Sequence, residues 1–488
     1  MLATIDADTR IEHDSLGEKE LPNSVYYGVQ TARALENFPF DSHPLHHFPE
    51  FIVAFAYQKK ASALANYELG VLDAEKTDVI VAVCDELIAG KLHDQFPLDM
   101  IQGGAGTSTN MNFNEVIANR GLELMGHKKG EYQFLHPNDD VNLSQSTNDA
   151  YPTAAKVAVL LMMRETRQHL DKLKHALEQK ASEFKDVLKM GRTEMEDAVP
   201  VTLGQEFRGF ADTLNEALRQ LRQAEKAFYK VNLGGTAIGT GINSPRQYCA
   251  LAIKRLAELT GFFLVPCNDL VGASSDGAGY MEMSGALKRV GIAISKICND
   301  LRLMSSGPRA GFFEITLPPL QPGSSIMPGK VNPVIPEVTS CVAYQLAGYD
   351  TIVTMAAELS SLELNPVETI IVYSLLSGVK LLNTASRVLA EKCIVGIKAN
   401  RERDAMMVRS SIGLVTALLP VLGYEKCAAI AKEALLTGGT VYDLVLEKGW
   451  LSKQELEDLL RPENMTAPRE RPVGKSCGRR ALGEVLEN

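Results

Sequence analysis

No two of the chain's eight cysteines stand in a CxxC pair; they are scattered at Cys84, Cys249, Cys267, Cys298, Cys341, Cys393, Cys427 and Cys477. That spacing excludes a zinc knuckle or a disulfide framework, and implies reduced, mostly buried thiols of an intracellular protein. Positive charge is also short. Fifty Lys and Arg stand against 60 Asp and Glu, a formal net charge of −10. An extended nucleic-acid surface needs clustered cations and is excluded. A small anionic substrate is not, because a few local donors can outweigh the global balance. No apolar run reaches the ~18 residues of a membrane span. The acidic opening "MLATIDADTRIEHDS" lacks the apolar stretch of a secretion signal. Strand-like alternation is sparse. A cytoplasmic protein with no membrane and no nucleic-acid partner is expected.

The 488 residues, 45% of them hydrophobic, suffice for two or three domains with a large core. Residues 1–50 read as irregular, and 51–90 as helical with Gly70 as a stop. After Pro152 the stretch "TAAKVAVLLMMRETRQHLDKLKHALEQKASEFKDVL" runs without Gly or Pro, with apolar residues at three- and four-residue steps. A helix of such length would span about 54 Å. Similar stretches cover 203–231, 277–305, 334–363 and 368–398. Some, such as "VGIAISKICNDLRLM", are apolar on more than one side, as in a bundle or between subunits. The reading is a mainly α chain with a central long-helix bundle. Its expected domains are 1–146 (N-terminal), 147–402 (central) and 403–488 (C-terminal, with a charged tail around 461–480).

Four polar segments interrupt this pattern: Gln102–Asn112, Asn142–Asp149, Gly191–Asp197 and Gly323–Asn332. Each is expected at a helix boundary. Their Ser, Thr, Asn and Gly residues supply hydroxyl, amide and backbone donors suited to a carboxylate ligand, and helix N-termini add a favourable dipole. Caps and turns use the same residue types, so no single segment is decisive; four together weigh considerably against that plainer reading. Other candidates fail. "GSSIMPGKV" misses the Walker spacing, and Val331 stands where magnesium would need Ser or Thr. "GGTAIGTGINS" lacks the third glycine of a dinucleotide fingerprint. His43, His46 and His47 carry no carboxylate pattern and read as loop histidines.

The segment "PGSSIMPGKVNP" combines a permissive glycine, two serines, a point cation and an amide between prolines. Such a mobile loop suits removal of a proton beside a carboxylate, whose extra negative charge needs preorganised donors. A serine can act as base there if the same donors hold its oxyanion and closure excludes water. A hydrolase with a serine nucleophile would use a similar loop, so these residues alone leave both readings open.

"QGGAGTSTNMN", "VNLSQSTNDAYPT", "KMGRTEMEDAVPVTLGQEF", "SSGPRAGFFEI" and "GSSIMPGKVNPVIPE" follow one another in the order shown by the aspartase/fumarase superfamily. The resemblance covers nearly the whole chain. Fumarases of this class usually read "TGSGTQSNMN", "SQSSND" and "MPGKVNPTQ"; the forms here resemble the ammonia-lyases instead. The resemblance implies a three-domain, almost all-α subunit in a homotetramer, with each active site drawn from three subunits. It implies L-aspartate, fumarate and ammonia as substrate and products, and no organic cofactor. Some relatives are activated by a divalent cation such as magnesium, for which no ligand cluster is legible here.

Carried over by motif, the resemblance makes Ser324 the base that takes the Cβ proton. Lys330, Asn332 and Ser325 would hold the reacting carboxylate and the enediolate. Thr107, Ser146, Thr147, Asn148 and Thr193 would grip the other carboxylate and the amino group. Glu194 departs from the family, which carries His or Gln there. A carboxylate beside a dicarboxylate is repelled unless a positive group lies near. An ammonium leaving group supplies one and a hydroxyl does not. Fumarate hydratase and a catalytically silent structural relative are the alternatives. Argininosuccinate and adenylosuccinate lyases fit less well, because their signature loops differ around the lysine.

Overall fold

The computed structural model of the protein describes residues 8–468. Cys477 and the part of the charged tail beyond 468 lie outside them. In chain order the main elements are β1 (Thr9–Asp14), β2 (Gly17–Pro22), α1 (Val29–Asn37), α2 (Pro49–Glu68), α3 (Ala74–Ile88), α4 (Thr107–Leu124), α5 (Thr147–Glu183), β3 (Leu188–Thr193) and β4 (Glu196–Thr202). There follow α6 (Leu203–Ala224), α7 (Tyr248–Thr260), α8 (Leu270–Ala273), α9 (Ala278–Met304), α10 (Val334–Glu358) and α11 (Glu368–Lys392). The C-terminal helices are α12 (Arg401–Ser410), α13 (Val415–Leu422), α14 (Tyr424–Thr437), α15 (Val441–Glu447) and α16 (Lys453–Leu459). The five long stretches expected from periodicity are thus α5, α6, α9, α10 and α11. Gly70, at φ +74°, ends α2 as expected.

The chain forms two compact units. Of the described residues, one comprises 8–176, 211–302 and 318–396; the other comprises 177–210, 303–317 and 397–468. In the first, α2 packs on α3 and α7, and α10 on α11. Phe51, Phe55, Phe113 and Tyr151 form its aromatic centre, with Phe55 and Phe113 stacked at 4.3 Å. Burying each such ring contributes roughly 1.5–3 kcal/mol. In the second, Met190, Val408, Leu418, Ile430 and Val445 form a separate core beside the antiparallel β3–β4 pair.

Residues 8–50 are more ordered than their sequence suggests. β1 and β2 form a hairpin, and α1 follows. The inward-facing residues of β1 are Arg10 and Glu12, an ion pair at 2.7 Å, so the strand alternates with charge inside and gives no hydropathy signal. α1 has no capping side chain of its own. Glu115 on α4 supplies the cap, accepting from the N–H groups of Gly28, Gln30 and Thr31 and from the Thr31 hydroxyl. Burial still pushes its carboxyl up to about 7.

Candidate active site

The first unit holds two of the polar segments at adjacent helix N-termini. Gly104, Ala105 and Gly106 all have left-handed φ, turning the chain sharply into α4. A Cβ on Gly106 would lie 2.3 Å from the Tyr151 ring, so this glycine lets α4 begin flush against α5. Thr107, the first residue of α4, is exposed there. The turn is fastened to the start of α11: Ala105 N–H donates to Pro366 O at 3.2 Å, and the Thr369 hydroxyl to Gln102 O at 2.9 Å.

The α5 N-terminus is stitched more heavily. The Ser146 hydroxyl accepts from Asn148 N–H, and the buried Thr147 hydroxyl accepts from the Asn110 amide at 3.2 Å. The Asn148 amide nitrogen donates to Ala237 O at 2.8 Å. Pro152 inside α5 leaves the Asn148 carbonyl without its helical partner. Asn232 fills the gap, its amide donating to that carbonyl at 3.0 Å.

Beneath these residues lie two groups that sequence reasoning missed. Asp149 is buried and accepts from Ser146, Gly234 and Thr236 N–H, joining the α5 start to the Gly234–Gly239 turn. Burial raises its carboxyl to about 6. Lys59 on α2, also buried, donates to Asn142 Oδ1 and Gln145 Oε1, and burial lowers its ammonium to about 7. A signal existed: Gln58, Lys59, Ser62 and Asn66 form a polar stripe on an otherwise apolar helix, all buried. The "GGTAIGTG" segment, no dinucleotide loop, instead supplies the N–H groups that hold Asp149.

The third segment, Gly323–Asn332, is exposed and cinched at its neck. Gly323 N–H donates to Lys330 O at 2.7 Å, and the Asn332 amide to Gly323 O at 2.6 Å. A Cβ on Gly323 would sit 2.7 Å from Lys330 O and Asn332 N, so only glycine fits this neck. Just above the neck the half-buried Ser324 hydroxyl oxygen accepts from Ile326 N–H at 3.2 Å and Met327 N–H at 2.8 Å. Two aligned donors on one oxygen stabilise its anion. Ser325 and Lys330 are exposed on the same loop. Asn332 is committed to the neck.

Gly191–Asp197 belongs to the second unit and corrects an expectation. It is not a helix boundary but the tip of the β3–β4 hairpin, where Thr193 pairs with Glu196. Glu194 (φ +55°) and Met195 (φ +71°) form the two-residue turn in a left-handed conformation that glycine or asparagine usually occupies. Gly191 sits in a bulge, where a Cβ would meet Val199 O at 2.7 Å. Thr193 and Glu194 are exposed. Below them Arg192 pairs with buried Glu314 at 2.6 Å.

The loop histidines stay apart from all this; His43 contacts the Tyr373 hydroxyl at 3.0 Å. Among the described residues, no group of three or more His, Cys, Asp and Glu side chains is placed to hold a metal. Nor is any single helix there long and apolar enough to cross a membrane. Of the seven described cysteines none is paired; four are buried and Cys341 is exposed.

Residues 17–348 match the family described as Lyase, and 414–467 match the fumarase C C-terminus. The chain belongs to this lyase family. Among its relatives, an aspartate ammonia-lyase of Pseudomonas fluorescens is 54% identical over 468 residues, 96% of this chain and 98% of its own. One of Escherichia coli (strain K12) is 51% identical over 94% of this chain and 96% of its own. Of solved structures, a fumarate lyase:delta crystallin from Brucella melitensis bound to cobalt superposes with a TM-score of 0.92 at 52% identity, covering 94% of this chain and 100% of that one. A class II fumarase from Schistosoma mansoni gives 0.89 at 34% identity, covering 93% and 98%. The mainly α architecture is therefore the family's.

Proposed function

We propose that the chain is an aspartate ammonia-lyase, eliminating ammonia reversibly from L-aspartate to give fumarate. The observation that carries the mechanism is the pair of backbone N–H groups on the Ser324 oxygen. They lower the cost of a serine oxyanion, the form that can take a proton from Cβ. The electron pair left behind moves into the adjacent carboxylate as an enediolate, then returns to form the Cα–Cβ double bond as the C–N bond breaks. Ammonia leaves with the bonding pair.

Lys330 and the N–H of Ser325 hold the carboxylate that gains charge, while Asn332 keeps the loop's neck closed. Thr107, Ser146, Thr147 and Thr193 receive the rest of the substrate, in sites completed by three subunits of a homotetramer. An exposed apolar stripe along α10, formed by Val338, Tyr344, Ile352, Met355 and Leu359, supports that assembly. Glu194 faces the leaving ammonium. The chemistry as written draws on no organic cofactor, and we place the enzyme in the cytoplasm.

Offering L-aspartate alone and following fumarate by absorbance tests this directly. Malate formed from fumarate without ammonium, and no aspartate with it, would instead identify a hydratase. Inertness toward both substrates would identify a silent relative.

A further inference from the structure

Beneath the β3–β4 hairpin lies a cluster of five ionisable groups, all in the second unit. Lys189 on β3, only 2% exposed, contacts both Glu206 oxygens at 2.8 Å and Glu314 Oε2 at 2.9 Å. Arg192, also on β3, binds Glu314 Oε1 at 2.6 Å and lies over the Phe312 ring at 4.1 Å. Two cations thus face two carboxylates, and the cluster is balanced.

Asp404 on α12 is a third carboxylate, 0% exposed, and neither of its oxygens has a hydrogen-bond partner. The neighbouring Arg403 gives no help, because its guanidinium donates to the carbonyls of Gly311 and Phe312. An ionised carboxylate without donors is among the costliest things a protein can bury. When ionised it must draw Lys189 or Arg192 away from Glu206 or Glu314. Arg192 is the residue immediately before Thr193 and Glu194.

We propose that Asp404 is a positioning residue whose bound proton leaves Arg192 to Glu314, and whose loss pulls on the base of the hairpin and loosens its tip. The groups facing it are Lys189 and Arg192 from β3, Glu314 from the segment before α10, and Glu206 from α6. Its ionisation is held up to about 7, first by burial and then by Glu314, with Lys189 and Arg192 opposing and Glu206 adding to the rise. The switch therefore works near neutrality.

This inference rests on the proposed function only for its kinetic consequence. Asp404→Asn, which is neutral at every pH, sets the baseline for KM of L-aspartate between about pH 6 and pH 8, with the titration of Lys59 and Asp149 included. In the natural chain KM should rise about threefold to tenfold above that baseline over the same range, with kcat changing less. Two readouts do not depend on turnover. A nitroxide on Met195→Cys, with Cys341→Ser to remove the one exposed thiol among the described residues and Cys477→Ser beyond them, should become more mobile as pH rises through about 7 only where Asp404 is present. The thermal midpoint of the natural chain, relative to Asp404→Asn, should fall from about pH 4 to about pH 7 and then level off. Asp404→Ser, smaller and also uncharged, should behave like Asp404→Asn. Identical profiles in natural and neutral chains would overturn the proposal. So would failure of both neutral variants to fold, since the neutral form is the one assigned to the ordered hairpin. Absence of aspartate turnover in every chain, with the nitroxide and midpoint effects intact, would refute the enzymatic reading alone.

Discussion

The Asn148 amide nitrogen donates to the Ala237 carbonyl at 2.8 Å, which fixes the side chain so that its oxygen faces away from that contact. An outward amide oxygen accepts hydrogen bonds. It suits an ammonium and repels a carboxylate. Asn148→Ala should therefore raise KM for L-aspartate about tenfold or more, the cost of one hydrogen bond to a charged group. Succinate, a dicarboxylate without an amino group, should inhibit with Ki changed by less than about twofold. Equal losses for both ligands would show that Asn148 does not read the amino group.

Ser324→Ala removes the oxygen held by the N–H groups of Ile326 and Met327. Loss of a positioned base should lower kcat by about 10²–10⁴. The loop is exposed, so the unfolding midpoint should hardly move. Turnover surviving the change would take Ser324 out of the chemistry.

Gly106→Ala asks for a methyl group 2.3 Å from the Tyr151 ring at φ +85°. Overpacking and backbone strain together should cost about 2–4 kcal/mol, and Thr107 should shift with the helix start. Both stability and kcat/KM should fall. The double change with Tyr151→Leu should recover part of the stability, because it removes the collision but not the strain. Additive losses in denaturant titrations would contradict that packing.

Glu368 is buried at the start of α11, accepts from the Tyr280 hydroxyl at 2.6 Å, and has its carboxyl pushed up to about 7 by burial. A carboxyl raised in the folded state binds its proton more tightly there than when unfolded. Its contribution is therefore greatest below the unfolded value and is lost as pH climbs through the folded one. Compared with Glu368→Gln, the natural chain should lose on the order of 1–3 kcal/mol between about pH 4.5 and pH 7. Denaturant midpoints for the two proteins across that range check it; parallel curves would refute it.

The long helices were legible because 3.6-residue periodicity survives wherever one face meets a core, as in α6, where Leu203, Phe207, Phe210, Leu214, Ala217 and Leu221 are buried. The Gly323–Asn332 loop was legible as a break before α10 because glycine and proline frame it in consecutive residues. What could not be read came from distant pairs. Glu115 caps a helix more than 80 positions earlier. Lys59 holds a loop 83 positions away through Asn142. The β1 strand hides its alternation because Arg10 and Glu12, not apolar side chains, face inward. The hairpin at Thr193–Glu194 resembled a helix boundary because a two-residue turn without glycine carries no ordinary turn signal. Asp404 looked like any acidic residue near a helix start, and only its lack of donors sets it apart.

Pro152 has a consequence for when the pocket can mature on the ribosome. The carbonyl it frees waits for Asn232, and the carboxyl of Asp149 waits for Gly234 and Thr236, all some eighty positions further along. While translation has reached only the middle of α6, the start of α5 stands with the Asn148 carbonyl and Asp149 Oδ2 met by water alone. The binding surface is thus assembled after its own residues have been made.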